Sequence, residues 1–212
     1  MGTRVDGRLL RGERTRNAVL DAAVALATEA GLSGLSLGQL ADRLGVSKSG
    51  LFAHWRSKEE LQLATVERAS EHFIEHIVVP ALRAPRGVRR LWAMHEYKLA
   101  YERGAVLPGG CFFTNAQFEY DTRPGPIRDR LADALAQWMA TLVRLSREAI
   151  DSGELRPEVS PQQLAFDVNA ASAAVVYQAR LLPAAEAFAL ARGGVLHRLR
   201  ALCTDPDLLP ED

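Results

Sequence analysis

The most explicit catalytic pattern in this 212-residue chain lies at residues 72–76, which read His-Phe-Ile-Glu-His. Two histidines on one face of a helix can bind zinc, and a glutamate beside them can activate a metal-bound water. The same spacing is that of a solvated helical face with charged side chains, and five-letter matches often arise by chance. A metal-dependent hydrolase that uses His72, Glu75 and His76 is therefore one hypothesis for the function, and it is the alternative to the one that the rest of the sequence favours. A regulatory or adventitious metal site there is a further hypothesis.

Between Ser36 and Leu61 the residues are those of two short helices around a glycine turn, followed by a third helix. Ser36 occupies an N-cap position and Gln39 follows three residues later, which predicts a capping box. Gly45 permits the backbone conformation that ends the first helix. One apolar stripe of this helix must be buried, and it consists of Leu37, Leu40, Ala41 and Leu44. The arrangement predicts a helix-turn-helix that reads DNA.

The second helix of this pair, capped by Ser47, is the predicted recognition helix. Val46, Leu51 and Trp55 are expected to face inward. The opposite face is small and polar, and Gly50 permits close approach, which suits the major groove of DNA. The outward residues are Lys48, Ser49, Gly50, Ala53 and His54.

The run from Gly45 to Leu61, GVSKSGLFAHWRSKEEL, resembles the N-terminal domain of TetR-family transcriptional regulators. In that family a Ser-Lys-Glu segment opens a long connecting helix, and residues 57–60 match it; the match covers about the first third of the chain. The family often has tyrosine at the position of Phe52 and phenylalanine at that of Trp55. Phe52 lacks a hydroxyl for phosphate, so we expect it to pack against sugar or a thymine methyl, and Trp55 to anchor the small core.

Phosphate contacts are expected where helices begin. Lys58 lies at the N-terminus of the connecting helix, a favourable place for an anion, and with Ser36 and Arg14 it should meet phosphates. The full set of predicted DNA-binding residues is Arg14, Ser36, Lys48, Ser49, Gly50, Phe52, His54 and Lys58.

Charge is unevenly distributed along the chain. The net charge is zero, yet residues 1–58 hold nine basic and five acidic side chains, so a basic head precedes an acidic body. Two cysteines imply no disulfide framework and favour a reducing cytosol, and no signal peptide is expected, so we predict a cytoplasmic protein. The most hydrophobic stretch, near Ala170, is too short and too polar to span a bilayer, which predicts no membrane partner.

The spacing of apolar residues is helical almost throughout, which predicts an all-α fold without a sheet. An N-terminal three-helix helix-turn-helix domain is followed by a larger helical ligand-binding and dimerisation domain. The predicted divisions are a disordered basic arm at 1–12, the DNA-binding domain at 13–60, the ligand-binding and dimerisation domain at 61–204 and a C-terminal tail at 205–212. No cofactor is indicated.

The last two predicted helices are rich in small residues that let helices approach closely. These residues are Ala165, Ala170, Ala171, Ala173, Ala174, Gly193 and Gly194. Ordinary packing within the chain would explain them equally well. The resemblance favours a homodimer interface, because the family pairs its final two helices into a four-helix bundle. Two recognition helices would then read half-sites about 34–36 Å apart.

The middle of the chain mixes aromatic and ionisable side chains at helical spacing, where a plain core would use leucine and valine. The resemblance implies a ligand cavity in this region, although each residue alone is also explained by core packing. The predicted ligand-binding residues are Trp92, His95, Glu96, Leu99, Cys111, Phe112, Asn115, Phe118, Trp138, Asn169 and Tyr177, with Glu119 as a further polar group on the same short helix as Phe118.

These patterns together predict a one-component transcriptional regulator. A homodimer would bind a palindromic double-stranded DNA operator and leave it when a small-molecule effector enters the central domain. The helix after Ser57 is expected to couple the two events. Action as a repressor is implied by the resemblance alone.

Overall fold

The computed structural model describes residues 7–47, 51 and 54–211, and within them the side chains of all residues except 7–14 and Ala105. Throughout these ranges the regular structure is helical, and the one β-type pairing is an isolated bridge between Leu155 and Cys203. The predicted all-α fold is confirmed. No helix in this part of the chain combines the length and apolar character that a membrane crossing requires.

The helices are α1 Gly7–Ala30, α2 Leu37–Leu44, α3 Lys58–Phe73, α4 Val88–Ala100, α5 Phe112–Tyr120, α6 Pro126–Asp151, α7 Pro161–Leu181 and α8 Ala184–Leu202. Two of them end in a wider, π-helical turn: Ile74–Val78 follows α3, and Tyr101–Ala105 follows α4. The first of these turns leads into the short helical segment Val79–Ala81. The wider turn accommodates Pro80, which has no N–H to donate, so the helical path continues past this proline to Ala81.

Local capping explains where several helices begin and end. The Ser36 hydroxyl accepts a hydrogen bond from the backbone N–H of Gln39 (3.2 Å), and Ser160 does the same for Gln163 (3.2 Å). Gly45 has φ 62°, a left-handed conformation that favours glycine, and its N–H bonds to carbonyls of the last turn of α2. The predicted N-cap at Ser36 and the helix end at Gly45 are confirmed. The predicted capping box forms in part, because the Gln39 side-chain oxygen accepts from the Ser36 hydroxyl (3.0 Å) rather than from its backbone N–H.

The chain divides into two compact units that differ from the predicted domains. The first comprises the described residues up to Glu71 together with Leu107–Leu131. The second comprises His72–Val106 and the described residues from Ala132 onward. The boundary predicted after residue 60 stays a prediction; the first compact unit extends beyond it and also includes α5 and its flanking loops.

Two features at the N-terminal end differ from the sequence-based expectations. The helix α1 begins at Gly7, so residues 7–12 are not a disordered arm; residues 1–6 lie outside the described residues. Arginine, leucine and glutamate are good helix formers, and extending an existing helix costs little. Val46, expected to face inward, is 43% exposed, because the chain leaves α2 at Gly45 and no longer follows its apolar stripe.

Each unit has its own apolar core. In the first unit the core includes Val24, Leu35, Leu40, Leu51, Trp55, Leu61 and Val66. In the second it includes Leu91, Met94, Leu142, Leu145, Leu196 and Leu199. The predicted C-terminal tail packs onto the second unit, since Leu209 is buried and the Arg200 guanidinium donates to the carbonyls of Pro206, Leu209 and Pro210.

Candidate functional site

The predicted DNA-binding surface is described in part. Leu51 and Trp55 are buried as predicted, and His54 is exposed with its ring 5.5 Å from that of Trp55. The guanidinium of Arg16 lies 5.7 Å above the Trp55 ring. Four predicted contacts, Lys48, Ser49, Gly50 and Phe52, lie outside the described residues, and Arg14 lies in α1 with its side chain outside the description.

Ser36 and Lys58 already have partners within the first unit. The Ser36 hydroxyl donates to the side-chain oxygen of Gln39 (3.0 Å) in addition to capping α2. Lys58 is exposed, and its ammonium donates to the carbonyl of Ser33 (2.5 Å) in the loop between α1 and α2. An ammonium has three N–H donors, so this bond leaves Lys58 able to meet a phosphate as well.

The loop between α1 and α2 is also held by residues that the sequence pattern does not assign to it. The Glu119 carboxylate accepts hydrogen bonds from the backbone N–H groups of Leu32 (2.7 Å) and Ser33 (2.9 Å). The Gln62 side-chain amide donates to the carbonyl of Leu32 (2.7 Å) and to the Tyr120 hydroxyl (3.2 Å). No local sequence signal points to these pairings, because the partners are far apart along the chain.

The predicted ligand-binding residues divide between the two units. Cys111, Phe112, Asn115 and Phe118 lie in the first unit, and Trp92, His95, Glu96, Leu99, Trp138, Asn169 and Tyr177 lie in the second. In the first unit Cys111 and Phe112 are buried, and Asn115 donates to the carbonyl of Gly109 (3.1 Å). Phe118 is 62% exposed.

The predicted residues of α4 pack against α7 and α8. His95 is buried, with Nε2 3.3 Å from the carbonyl of Ala191 and Nδ1 3.3 Å from the hydroxyl of Ser172. A carbonyl only accepts, so Nε2 carries the proton and Nδ1 is an acceptor. The single proton of the Ser172 hydroxyl is shared between Nδ1 and the carbonyl of Val168, each 3.3 Å away. Burial lowers the pKa of His95 to about 4.

The other members of the α4 set take part in the same packing. The Arg192 guanidinium lies 5.1 Å above the Trp92 ring and pairs with Glu96 (3.1 Å). Leu99 joins a small apolar cluster with Val175 and Phe188.

Trp138 and Asn169 lie at a second set of aromatic and charged residues, which we call the Phe73 cluster: Phe73, Lys98, Tyr101, Glu102 and Trp138. The Phe73 ring lies edge-on to Trp138 (5.0 Å between centroids) and to Tyr101 (6.2 Å). The Lys98 ammonium lies 5.9 Å from the centre of the Phe73 ring. Asn169 accepts a hydrogen bond from the indole N–H of Trp138 (2.9 Å).

A buried ion pair is part of this cluster. Lys98 and Glu102 pair directly, and their side chains are 5% and 0% exposed. One oxygen of Glu102 has no hydrogen-bond partner among the described residues. Burial raises the pKa of the Glu102 carboxyl, and the Lys98 ammonium opposes that rise. Sequence reasoning missed Lys98 and Glu102, although a charged pair four residues apart on an otherwise apolar helical face is a readable signal.

The His72-Glu75-His76 pattern does not form a metal site. The described part of the chain contains no group of three or more His, Cys, Asp or Glu side chains placed to hold an ion. The chain enters its π-helical turn at Ile74, which alters the helical register between the two histidines. The Nδ1 atom of His76 lies 2.9 Å from the carbonyl of His72, and Glu75 is exposed.

The surfaces of α7 and α8 carry exposed apolar side chains. They are Phe166, Tyr177, Leu181 and Leu190, with Leu182 in the connection between the two helices. A groove of about 220 Å³ runs between the helices and is lined by Val168, Ala171, Leu190, Ala191, Gly194 and Val195, with Asp167 and Arg198 as its charged residues. Cβ atoms added at Gly193 and Gly194 would meet nothing within 4 Å.

Comparisons with known proteins agree with this architecture. The family described as bacterial regulatory proteins, tetR family, matches residues 19–65, and the tetracyclin repressor-like C-terminal domain matches residues 87–195. The tetracycline repressor protein class A from transposon 1721 of Escherichia coli is 31% identical over 125 residues, which cover 58% of this chain and 53% of that protein. The chain therefore spans about half the length of this curated relative.

Solved structures with the same fold cover more of the chain. A TetR transcriptional regulator from Chloroflexus aurantiacus J-10-FL superposes with a TM-score of 0.84 at 28% identity, covering 91% of this chain and 98% of that one. AibR in complex with isovaleryl coenzyme A and operator DNA has a TM-score of 0.62 at 23% identity, with 76% and 84% coverage. At 23% identity, the similarity to AibR shows a shared fold alone.

Proposed function

The chain belongs to the TetR family of bacterial transcriptional regulators, and we propose that it is a one-component regulator acting in the cytoplasm. A homodimer binds a palindromic operator and leaves it when a small molecule binds. The observation that carries this proposal is the helix-turn-helix frame of the first unit, in which Ser36 caps α2, Gly45 ends it, and Leu51 and Trp55 are buried.

DNA recognition in this proposal uses the outward residues of the segment between Gly45 and Trp55. Lys48 and His54 reach base edges or phosphates, and Lys58 meets the backbone from the start of α3. The basic balance of residues 1–58 supports this assignment, because a locally positive head attracts DNA although the whole chain is neutral.

We place the homodimer interface on α7 and α8. Both helices and the connection between them carry exposed apolar side chains, and a concentration of such side chains at a surface marks an interaction site. Tyr177, predicted as a ligand contact, is half-exposed on this surface, so we assign it to the interface. The small side chains and Gly193–Gly194 leave room for the helices of a second copy.

We assign the effector site to the Phe73 cluster with Asn169. Its aromatic side chains suit a largely apolar ligand, and the unpartnered oxygen of Glu102 provides a point for a hydrogen-bond donor. π-Helical turns are frequent at functional sites; one begins directly after Phe73, and the other contains Glu102. The structure of AibR contains both isovaleryl coenzyme A and operator DNA, so a protein of this fold can bind a small molecule and DNA together. That observation supports the proposal of an effector site in this chain.

Selection of bound sequences from a random DNA pool, with the purified full chain, tests the DNA-binding proposal. An inverted repeat should be recovered, and Lys48→Ala should weaken binding to it by about 1–3 kcal/mol. Arg83→Ala, which removes one exposed positive charge from the second unit, is the matched control. Recovery of no preferred sequence, or an unchanged affinity of Lys48→Ala beside its control, would contradict the proposal.

A reporter gene behind the selected operator tests the sign of regulation. Expression that rises when the regulator is deleted supports a repressor, and expression that falls indicates an activator. TetR-family regulators are not enzymes, which leaves no role for metal-dependent hydrolysis at His72, Glu75 and His76. Operator binding should accordingly survive a chelator.

A further inference from the structure

One carboxylate of α5 holds two successive peptide groups in the loop that precedes α2. Glu119 accepts from the N–H groups of Leu32 and Ser33 at 2.7 and 2.9 Å, across 87 and 86 residues of sequence. Its side chain is 18% exposed. Hydrogen bonds between a carboxylate and backbone N–H groups are about twice as strong as neutral ones, and partial burial strengthens them further.

Gly31 gives the carboxylate its access to the loop. A Cβ atom at this position would lie 3.2 Å from Glu119 Oε2, closer than most real contacts of a Cβ atom. Gly31 also has φ 82°, so the residue that ends α1 is the one that opens the approach.

The carbonyls of the same two residues are bonded from α3. Gln62 donates to the Leu32 carbonyl and Lys58 to the Ser33 carbonyl. Leu32 and Ser33 are therefore each bonded through both their N–H and their C=O, and the peptide group that joins them is held on both sides. Ser36, the N-cap of α2, follows Ser33 by three residues, so the position of the loop determines where α2 begins.

We propose that Glu119 is a positioning residue for operator recognition: its carboxylate fixes the loop before α2 and so holds the helix-turn-helix in its DNA-reading orientation. This inference rests on the proposed DNA-binding function. It makes α5 a component of the DNA-reading unit, consistent with the inclusion of Leu107–Leu131 in the first compact unit. A second contact strengthens the attachment, since the Gly109 N–H donates to the Thr28 hydroxyl in the last turns of α1 (3.0 Å).

The test compares Glu119→Gln with Asp121→Asn. The first removes the charge and one acceptor oxygen from the loop; the second removes a charge from an exposed neighbouring carboxylate. Binding to the selected operator and to random-sequence DNA is measured at one salt concentration, together with thermal unfolding. Glu119→Gln should weaken operator binding about ten-fold, as one lost charge-assisted contact implies, and leave random-DNA binding within about two-fold. Asp121→Asn should change neither.

A merely structural role predicts a different pattern. Glu119→Gln would then lower the unfolding temperature, and the folded protein would bind its operator as tightly as wild type, which would overturn the inference. An equal loss on operator and random DNA would overturn it too. Failure of the proposed function is recognised separately, because wild type itself would then show no sequence preference.

Glu119→Asp serves as the second variant in case Glu119→Gln does not fold. It keeps the charge on a shorter side chain that cannot reach both N–H groups. An operator affinity of Glu119→Asp that lies between the affinities of wild type and Glu119→Gln supports the inference. If Glu119→Gln cannot be measured, an affinity of Glu119→Asp several-fold below that of wild type supports it. Wild-type affinity would overturn it. Faster hydrogen exchange at the amides of Leu32 and Ser33 should accompany the loss.

Discussion

The indole N–H of Trp138 and the amide oxygen of Asn169 form a 2.9 Å hydrogen bond that joins α6 to α7. Trp138 also lies against Phe73, so Asn169 fixes the orientation of one aromatic ring of the Phe73 cluster. Both residues are half-buried, which makes the loss of either partner costly for the other.

Asn169→Ala should destabilise the protein by about 1–3 kcal/mol, because the half-buried indole N–H loses its acceptor. Trp138→Phe removes the donor but keeps an aromatic ring. The double variant should cost less than the sum of the two single changes, with a coupling of about 0.5–1.5 kcal/mol measured by denaturant unfolding. If the free-energy costs of the two single changes simply add in the double variant, the hydrogen bond does not contribute to stability.

The Lys98–Glu102 pair should show the asymmetry of buried ion pairs. Lys98→Met leaves a buried carboxylate without its counter-charge and should cost about 3–5 kcal/mol, whereas Lys98→Met with Glu102→Leu should recover most of that loss. Without Lys98 the pKa of Glu102 rises further, so the single variant should lose stability as the pH increases.

The exposed pair Arg43–Glu29 is the matched control for that experiment. It has a 2.9 Å separation, but its side chains are 45% and 41% exposed. Arg43→Met should change the unfolding free energy by less than about 1 kcal/mol. If Lys98→Met and Arg43→Met lower the unfolding free energy by similar amounts, the burial of Lys98 carries no special penalty.

His95 should make stability depend on pH. Its pKa is about 4 in the folded protein against 6.5 for an unperturbed histidine, because burial disfavours the imidazolium. Lys98 and Arg192 add to this by repelling a positive charge. The unfolded chain therefore binds the proton first, and stability contributed by neutral His95 is present above pH 6.5 and lost as the pH falls toward 4.

The loss from His95 approaches about 3 kcal/mol at the lower end of that range. His95→Gln removes the titrating group, and the difference between wild type and variant, measured by denaturant unfolding from pH 7.5 to 4, isolates this contribution from that of the carboxylates. A pH-independent difference between wild type and His95→Gln would contradict the lowered pKa.

Local signals were sufficient to predict much of the first unit. Ser36 and Gly45 act within a few residues of their own positions, so the two ends of α2 are readable from sequence alone. The exposure of Val46 is not readable in this way, because it depends on the path that the chain takes after Gly45.

Long-range contacts explain what the sequence did not predict. Glu119 was assigned to a ligand site from its place on an amphipathic short helix, yet its partners are the N–H groups of Leu32 and Ser33. Backbone donors carry no residue-type signal, so such a partner is invisible in sequence. The Lys98–Glu102 pair was readable as an i,i+4 pair, but its burial became apparent only with Phe73 from α3 beside it.

The exposed face of α7 and α8 should mediate self-association, and Leu190 is its most direct test. Leu190 is 67% exposed and borders the groove between these helices. Leu190→Glu places a charge in the proposed interface, where burial without a counter-charge is costly. Sedimentation equilibrium should show a dimer for wild type and a monomer for the variant, and affinity for the inverted repeat should fall toward that for an isolated half-site. Leu135→Glu, at an exposed leucine of α6, controls for a new surface charge and should remain dimeric. A dimeric Leu190→Glu, or dissociation of both variants alike, would place the interface elsewhere.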